Sequence, residues 1–207
     1  MNQPLHECWA ENRNFPPLFP APEFSLTIQN GKLRMAARSE GSFDEETRPI
    51  QKNFSANLWQ MDCLELFLLN PATGRYLECN FSPWAAWWTC LFSAPRIRLF
   101  EEERPLEGVE VTAQRNYFEK PIQNGLENKQ EKRTEWEMQV RLDSASVLDA
   151  LEVTAWDQML GNVTLIVGSG DQKRFFSRAD LRTDHLDFHR PQDWLPLEKL
   201  ACGEAIS

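Results

Sequence analysis

Short runs in which apolar and polar residues alternate recur along the chain, and they restrict its fold more than any other feature. The run TEWEMQVRL (134–142) alternates most cleanly, and 23–38 holds two such runs joined by Asn30-Gly31. Asn-Gly between alternating runs is the strongest local signal for a β-hairpin. Only 144–153, SASVLDALEV, has the pattern of a short helix. Many short strands with almost no helix predict an all-β protein, an antiparallel β-sandwich of jelly-roll-like form with one short helix.

The length of the chain fits a single domain. Its 207 residues are enough to bury a sizeable core, and neither an internal repeat nor a clear linker divides them. Residues 1–22 are rich in proline and predict an extended N-terminal lead-in. Residues 23–207 predict the β-sandwich domain, whose last part, from residue 180 onward, is an irregular tail.

The charge of the protein argues against two classes of partner. A net charge of -9 and a pI of about 4.9, with no basic stripe, do not suit a nucleic-acid backbone or an anionic membrane surface. No apolar stretch is long enough to span a bilayer, and the N-terminus lacks the pattern of a signal peptide. The five cysteines show no CxxC spacing. We therefore expect a reduced, cytoplasmic protein without a nucleic-acid or membrane partner.

The register of the central strands can be derived from burial. Pairing Asn70 with Arg75 closes a turn over residues 71–74. One face then becomes wholly apolar, with Leu64 opposite Phe81, Leu66 opposite Cys79 and Leu68 opposite Leu77. The other face carries Glu65 opposite Asn80, Phe67 opposite Glu78, and Leu69 opposite Tyr76. A slip by one residue would mix the two faces, so burial selects this register.

The same reasoning can be carried across the corner at Pro83. It predicts three further apolar pairs, namely Phe81 with Ala86, Cys79 with Trp88 and Leu77 with Cys90. In that register Trp87 lies beside Asn80, and Thr89 lies beside Glu78. The predicted polar face then holds Glu65, Tyr76, Glu78, Asn80, Trp87 and Thr89.

The side chains on this face suggest a binding site. A face that is only solvated would more often carry lysines and threonines than aromatic rings beside carboxylates. A sugar needs an apolar ring to stack on, and groups that accept and donate hydrogen bonds. The predicted face offers both, so a ligand groove and a merely structural face are both open interpretations.

Three segments, LWQMDCLELFL (58–68), GRYLECNFSPWAAWW (74–88) and RFFSRADLRTDHLDFHRPQDW (174–194), resemble DOMON-like proteins related to type 9 carbohydrate-binding modules. The matching positions are Trp59, Cys63, Glu65, Phe67, Tyr76, Glu78, Asn80, Ser82, Pro83, Trp87, Asp187, Phe188, His189 and Pro191. Two positions depart from the pattern, because Ala85 stands where glycine is usual and Cys79 where phenylalanine is usual.

The resemblance implies a DOMON-type β-sandwich that binds a sugar or related small polar ligand without catalysis, and we expect no cofactor. In the true carbohydrate-binding modules a sugar stacks between tryptophans and is hydrogen-bonded by acidic and amide side chains. By this resemblance Trp87, together with Trp59 or Trp84, would stack against the sugar. Hydrogen bonds would come from Glu65, Glu78 and Asn80.

Two other functions compete for the same face. Glu65 and Glu78 would be diagonal neighbours about 7–8 Å apart at Cα, which lets their carboxyl groups reach the spacing used by glycoside hydrolases. However, the sequence has no phosphate loop, nucleophile elbow or Cys/His cluster. Alternatively, an exposed tryptophan-rich face would bind another protein. A long apolar patch without converging polar groups would favour that alternative.

Haem and metal binding are weaker alternatives. Some DOMON domains are cytochromes, and Met61 with His185 or His189 offers the thioether and imidazole ligands that haem iron accepts. For a divalent ion, the segment RTDHLDFHRP offers Asp184, His185, Asp187 and His189. A methionine at a strand start more often packs, and the segment lacks a dense carboxylate array. We therefore predict no metal site.

Overall fold

The alternating runs form two antiparallel sheets. The structure, a computed structural model, describes residues 3–8, 22–42, 53–121, 130–168, 173–181 and 186–201. In chain order the strands are Gln3–Pro4 (β1), His6–Cys8 (β2), Glu23–Gln29 (β3), Lys32–Ser42 (β4), Cys63–Leu69 (β5), Tyr76–Phe81 (β6), Trp87–Ala94 (β7), Ile97–Arg98 (β8), Val109–Pro121 (β9), Gln130–Asp143 (β10), Leu160–Val167 (β11), Arg174–Ser177 (β12) and Leu195–Pro196 (β13). The helices are Ser144–Leu151 (α1) and Leu197–Leu200 (α2).

The two sheets divide the strands unequally. One sheet has five strands in the order β1-β3-β4-β10-β9. The other is eight-stranded, in the order β2-β12-β11-β5-β6-β7-β8, with β13 paired to β11. Every pairing between these strands is antiparallel. The predicted antiparallel β-sandwich is therefore confirmed.

The inner faces of the two sheets share one hydrophobic core. Leu26, Leu33 and Met138 enter it from the five-stranded sheet, and Leu66 and Leu165 enter it from the eight-stranded sheet. All five are fully buried. Burying one such side chain contributes roughly 1.5–3 kcal/mol of free energy. The shared core is therefore a large favourable contribution to the packing of the two sheets.

Local turn and cap residues position the predicted hairpin and a helix that covers 144–151 of the predicted 144–153. Gln29 pairs with Lys32, which leaves Asn30 and Gly31 as the two loop residues, with φ angles of 51° and 66°. Two left-handed residues define the type I′ turn that suits the twist of a hairpin. Helix α1 begins after Asp143, whose carboxylate accepts a hydrogen bond from a backbone N–H in the first turn. No helix in the described part of the chain is long and apolar enough to cross a membrane.

The start of the chain is paired with both sheets. Strand β1 pairs with β3 in the five-stranded sheet, and β2 pairs with β12 in the eight-stranded sheet. Leu5, between them, is buried in the shared core. Within the predicted lead-in, residues 3–4 and 6–8 thus form edge strands, whereas residues 1–2 and 9–21 lie outside the described residues.

A buried aspartate joins the two sheets just before β5. Asp62 accepts hydrogen bonds from Trp136 Nε1 of β10, at 2.8 Å, and from the backbone N–H of Gly168, at 2.6 Å. Burial raises the pKa of Asp62 to about 6, and these two hydrogen bonds oppose the rise. The contact fixes the start of β5 and the 3₁₀ turn Leu58–Gln60 that precedes it.

The outer face of the eight-stranded sheet carries a second buried cluster. Its strand residues include Phe67, Tyr76 and Phe92, and it also includes Phe188 and Trp194 from the segment after β12. This segment therefore lies across part of the outer face. The face that the sequence predicted to be polar is partly covered and partly open.

Candidate functional site

The pairing of β5 with β6 matches the derived register. Glu65 lies opposite Asn80, Phe67 opposite Glu78, and Leu69 opposite Tyr76. The backbone N–H of residue 70 donates to the carbonyl of residue 75 at 2.9 Å and closes the turn between the strands. Glu65, Tyr76, Glu78 and Asn80 therefore share the outer face, as predicted, and all four are buried.

The predicted pairing of β6 with β7 is wrong by one residue. Asn80 lies opposite Trp88, Glu78 opposite Cys90, and Tyr76 opposite Phe92. Because side chains alternate across a strand, this shift moves every residue of β7 to the other face. The outer face consequently gains Trp88 and loses Trp87 and Thr89.

The corner between the strands explains the shift. The backbone N–H of Ser82 donates to the carbonyl of Ala86, and that of Ala85 donates to the carbonyl of Ser82, both at 2.9 Å. Ala85 has a φ of 60°, in the left-handed region. A turn followed by a left-handed residue is the geometry of a three-residue hairpin loop, whereas the predicted register required four loop residues.

Three of the predicted ligand-binding residues are placed away from the outer face. Trp87 packs against the shared core and, edge-on, against Phe54 at 5.2 Å between ring centroids. Thr89 is buried, and its hydroxyl accepts the backbone N–H of Leu106 at 2.9 Å. Trp84 lies at the corner, with the guanidinium of Arg115 at 5.2 Å from its ring centroid. None of the three lines the cleft described next.

The open part of the outer face forms a cleft of about 620 Å³. Its floor is built from strands β5, β6, β7 and β11, and its walls come from the 3₁₀ turn, the β7–β8 hairpin, β12 and the segment 186–189. The residues that line it are Ala56, Asn57, Trp59, Glu65, Phe67, Glu78, Asn80, Trp88, Arg96, Arg98, Glu103, Ile166, Lys173, Phe175, Leu186, Asp187, Phe188 and His189. This volume lies in the range of small-molecule sites.

Two carboxyl groups lie in the floor of the cleft. Glu65 Oε2 accepts a hydrogen bond from the hydroxyl of Thr164 at 2.7 Å, and Glu78 Oε1 accepts one from Asn80 Nδ2 at 3.0 Å. Burial, and then the charge of Glu78, raise the pKa of Glu65 to about 8. Burial likewise raises the pKa of Glu78 to about 7. The pair therefore resists double ionisation near neutral pH.

Two buried polar atoms beside these carboxyls have no hydrogen-bond partner among the described residues. They are the amide oxygen Oδ1 of Asn80 and the indole nitrogen Nε1 of Trp88. The two residues are paired on neighbouring strands, and both line the cleft. A buried polar group without a partner costs about 1–3 kcal/mol, so these two atoms are candidate contacts for a ligand.

His189 closes one end of the cleft and is held by several contacts. Its Nδ1 lies 2.8 Å from the hydroxyl of Tyr76, and its backbone N–H donates to Asp187 Oδ1 at 3.0 Å. Its Nε2 lies 3.7 Å from Glu78 Oε2. Burial, and then the charge of Arg96, lower the pKa of His189 to about 4, so the ring is neutral at physiological pH.

Aromatic and basic residues form the rim. Trp59 is 49% exposed, and Lys173 lies over its ring, with Nζ 5.0 Å from the centroid. The guanidinium of Arg98 lies 5.6 Å from the centroid of the Trp88 ring. Arg98 also pairs with Glu103 at 3.6 Å. Trp59 is thus a half-exposed ring at the rim with Lys173 over it, while Trp88 forms part of the floor.

Of the eight residues predicted to bind ligand, four line the cleft, namely Trp59, Glu65, Glu78 and Asn80. Tyr76 is fully buried beside the cleft and supports His189. The sequence prediction missed Trp88, although the usual glycine at position 85 was a signal for a left-handed loop residue and hence for the correct register. It named His189 as a position of the family pattern and as a candidate metal or haem ligand, but nothing local in the sequence indicates that the ring turns toward Glu78.

The described residues offer no cluster of metal-binding side chains. No group of three or more His, Cys, Asp or Glu side chains there is arranged to hold a metal ion. Asp184 and His185 lie outside the described residues. Met61 is not among the described residues that line the cleft.

Comparisons with known proteins bear on the fold. No family model matches the sequence, and no curated protein matches it. The solved structure of a candidate carbohydrate-binding protein from Bacteroides uniformis ATCC 8492 aligns with a TM-score of 0.63 at 14% identity, over 92% of this chain and 83% of that one. A family 9 carbohydrate-binding module from Caldicellulosiruptor kristjanssonii, in complex with glucose, aligns with a TM-score of 0.44 at 10% identity, over 90% and 79%. The chain thus belongs to the class of two-sheet antiparallel β-sandwiches, and it shares its fold with the Bacteroides uniformis protein.

Proposed function

We propose that this protein binds a sugar, or a closely related small polar ligand, in the cleft on the outer face of the eight-stranded sheet. The observation that carries the proposal is the pair of unpartnered buried atoms, Asn80 Oδ1 and Trp88 Nε1, beside the carboxyls of Glu65 and Glu78. A ligand rich in hydroxyl groups donates to the first atom and accepts from the second.

The aromatic residues of the cleft suit the apolar face of a sugar ring. Trp59 presents its ring at the rim with half of its surface exposed, and Trp88 and Phe67 add apolar area to the floor. Sugars combine one apolar ring face with polar edges, which is the combination that a tryptophan beside buried polar groups recognises.

The proposed binding is non-catalytic. A glycoside hydrolase needs one protonated carboxyl as acid and a second, ionised carboxylate as base or nucleophile, which requires two well-separated pKa values. Here the pKa of both groups is raised, to about 7 for Glu78 and about 8 for Glu65. Burial raises both pKa values in the same direction, so they do not set one group apart as the acid and the other as the base, and the hydrolase alternative gains no support from them.

The protein-interaction alternative has less support. It would be favoured by an apolar patch without converging polar groups, whereas this cleft concentrates carboxyl, amide and indole groups. The likeness in fold to a candidate carbohydrate-binding protein agrees with a sugar ligand but does not name it. The kinship with DOMON-like proteins and the cytoplasmic location remain predictions from the sequence.

A thermal-shift screen against neutral mono- and oligosaccharides tests the proposal. A ligand that binds only the folded state raises the melting temperature with concentration, by mass action. We expect at least one sugar to do so, and we expect Trp88→Phe to weaken its binding about tenfold because the indole N–H is lost. Trp87→Phe is the matched control, since its side chain lies on the other face.

Two results would count against sugar binding in this cleft. If no sugar shifts the melting temperature of the folded wild type, the sugar proposal fails and the protein-interaction alternative takes its place. If Trp87→Phe weakens binding and Trp88→Phe does not, the ligand lies elsewhere.

A further inference from the structure

The hydrogen bonds around Tyr76 determine which nitrogen of His189 carries the proton. The Tyr76 hydroxyl oxygen accepts the backbone N–H of Arg96 at 3.1 Å and lies 2.8 Å from His189 Nδ1. Its own hydrogen has no other acceptor among the described residues, so it is donated to Nδ1. An imidazole that accepts at Nδ1 and is neutral must carry its hydrogen on Nε2.

This tautomer points a donor into the cleft beside an acceptor. His189 Nε2–H faces Glu78 Oε2 across 3.7 Å, which is too long for a direct hydrogen bond. The Tyr76 hydroxyl holds the ring at Nδ1, and Asp187 accepts the backbone N–H of His189 and binds the guanidinium of Arg96 at 2.8 Å. Glu78 and His189 therefore form one donor–acceptor pair that a ligand atom can bridge.

Asn80 and Trp88 form a second pair of the same kind. The amide oxygen accepts and the indole nitrogen donates, both are buried, and neither has a partner among the described residues. Asn80 and Glu78 lie two residues apart on β6, so the two pairs are neighbours on the same face.

We infer that these two pairs are hydroxyl subsites, which makes the ligand a neutral, polyhydroxylated one, with His189 as a specificity-determining donor. The inference rests on the proposed function and names the class of its ligand. A hydroxyl both donates and accepts, so hydroxyl groups can satisfy the donor and the acceptor of both pairs. An ammonium group has no acceptor for His189 or Trp88, and a carboxylate has no hydrogen for Glu78 or Asn80.

The charges around the cleft agree with a neutral ligand. Two glutamates alone would attract an amine, but Arg96, Arg98 and Lys173 line the same cleft and already act on them. Lys173 favours the ionised form of Glu65, and the two arginines favour that of Glu78. On the acidic side, Glu103 pairs with Arg98 and Asp187 with Arg96. An additional cation gains little where three basic groups are already present.

The test uses two substitutions of His189, each of which keeps a polar group at only one of the two ring-nitrogen positions. In His189→Gln the amide nitrogen reaches the position of Nε2, whereas in His189→Asn it reaches only that of Nδ1. We expect the sugar found in the thermal-shift screen to bind His189→Gln nearly as well as wild type and His189→Asn about tenfold more weakly by calorimetry. The 2-amino and 6-carboxylate forms of that sugar are not expected to bind more tightly than the neutral parent.

A second measurement needs no ligand. Nitrogen-15 NMR of the histidine rings, with the His189 signals assigned by their loss in His189→Gln, should show hydrogen on Nε2 and none on Nδ1 at neutral pH. Hydrogen on Nδ1, equal binding by His189→Asn, or tighter binding of the amino sugar would each overturn the inference while leaving sugar binding intact. If no sugar binds wild type, the proposed function itself fails, and the subsites fall with it.

Discussion

The outer face of the eight-stranded sheet is built from the same strands at both ends, yet the two ends have opposite character. At the sealed end, formed by Tyr76, Phe92 and Trp194, the Tyr76 and Phe92 rings stack at 4.6 Å, and Trp194 packs edge-on against Tyr76 at 5.4 Å. Trp194 Nε1 donates to a backbone carbonyl at 3.1 Å, and the Tyr76 hydroxyl is also hydrogen-bonded.

The open end, formed by Glu65, Asn80 and Trp88, is buried to a similar degree, but not all of its buried polar atoms have a hydrogen-bond partner. It contains the unpartnered Asn80 Oδ1 and Trp88 Nε1. Aromatic side chains on a strand therefore do not by themselves indicate a binding site. What distinguishes the two ends is whether each buried polar atom has a partner within the protein.

The largest effect on the free energy of unfolding is expected from a substitution at the sealed end. Removing the indole of Trp194 by Trp194→Ala leaves a cavity against Phe67 and Tyr76, so we expect a loss of about 3–5 kcal/mol in the free energy of unfolding. Urea denaturation measures it. Trp59→Ala is the matched control, because that ring is 49% exposed and should change the stability by less than about 0.5 kcal/mol. Equal losses from the two variants would mean that the C-terminal segment does not seal the face.

The open end should respond to pH. Below about pH 4.5, the ordinary pKa of a glutamate, Glu65 is protonated whether the chain is folded or unfolded. Between that pH and the folded pKa of about 8, Glu65 ionises in the unfolded chain but stays protonated in the folded protein. The free energy of unfolding of wild type therefore falls as the pH rises through this range.

Glu65→Gln removes that loss while it keeps an oxygen to accept from Thr164. We expect its melting temperature to exceed that of wild type by roughly 3 °C or more at pH 9, with a much smaller difference at pH 5. Calorimetry at the two pH values measures it. Asp62 has a raised pKa in both proteins, so it cancels in the comparison. A difference that grows toward low pH would contradict the burial of Glu65.

The smallest expected effect concerns the corner that decides which tryptophan faces the open end. Ala85 holds a left-handed conformation, with φ of 60°, which is unfavourable for any residue with a Cβ atom. Ala85→Gly should therefore raise the free energy of unfolding by about 0.5–1 kcal/mol, as measured by urea denaturation. A loss of stability instead would mean that the loop has another conformation, and the assignment of Trp88 to the cleft would lose its basis.

The sequence predicted those parts of the fold where only one register buries an apolar face. Between β5 and β6 a slip sets leucine against asparagine, so hydrophobic patterning was sufficient and the pairing Glu65–Asn80 was correct. Strand β7 begins Trp87, Trp88 and remains largely apolar on both faces, so either register buries it well. There the backbone conformation at the corner decided the register, and the pattern could not.

The completed site depends on long-range packing that a local pattern does not contain. His189 reaches the cleft because the segment after β12 folds back over Tyr76, a residue 113 positions earlier in the chain. Likewise, Asn80 and Glu78 were identified correctly as residues of one face, but whether that face was open or sealed depended on where Trp194 packs.

In the proposed binding mode, the open end receives the ligand through Trp88 and not through Trp87. The most direct measurement is a sugar titration followed through the indole N–H signals of the tryptophans in nitrogen-15 NMR, with each signal assigned by a Trp→Phe variant. We expect a saturable shift of the Trp88 signal, because its N–H gains a partner, while the Trp87 signal stays in place. A shift of the Trp87 signal with an unchanged Trp88 signal would show that the ligand does not bind at the open end.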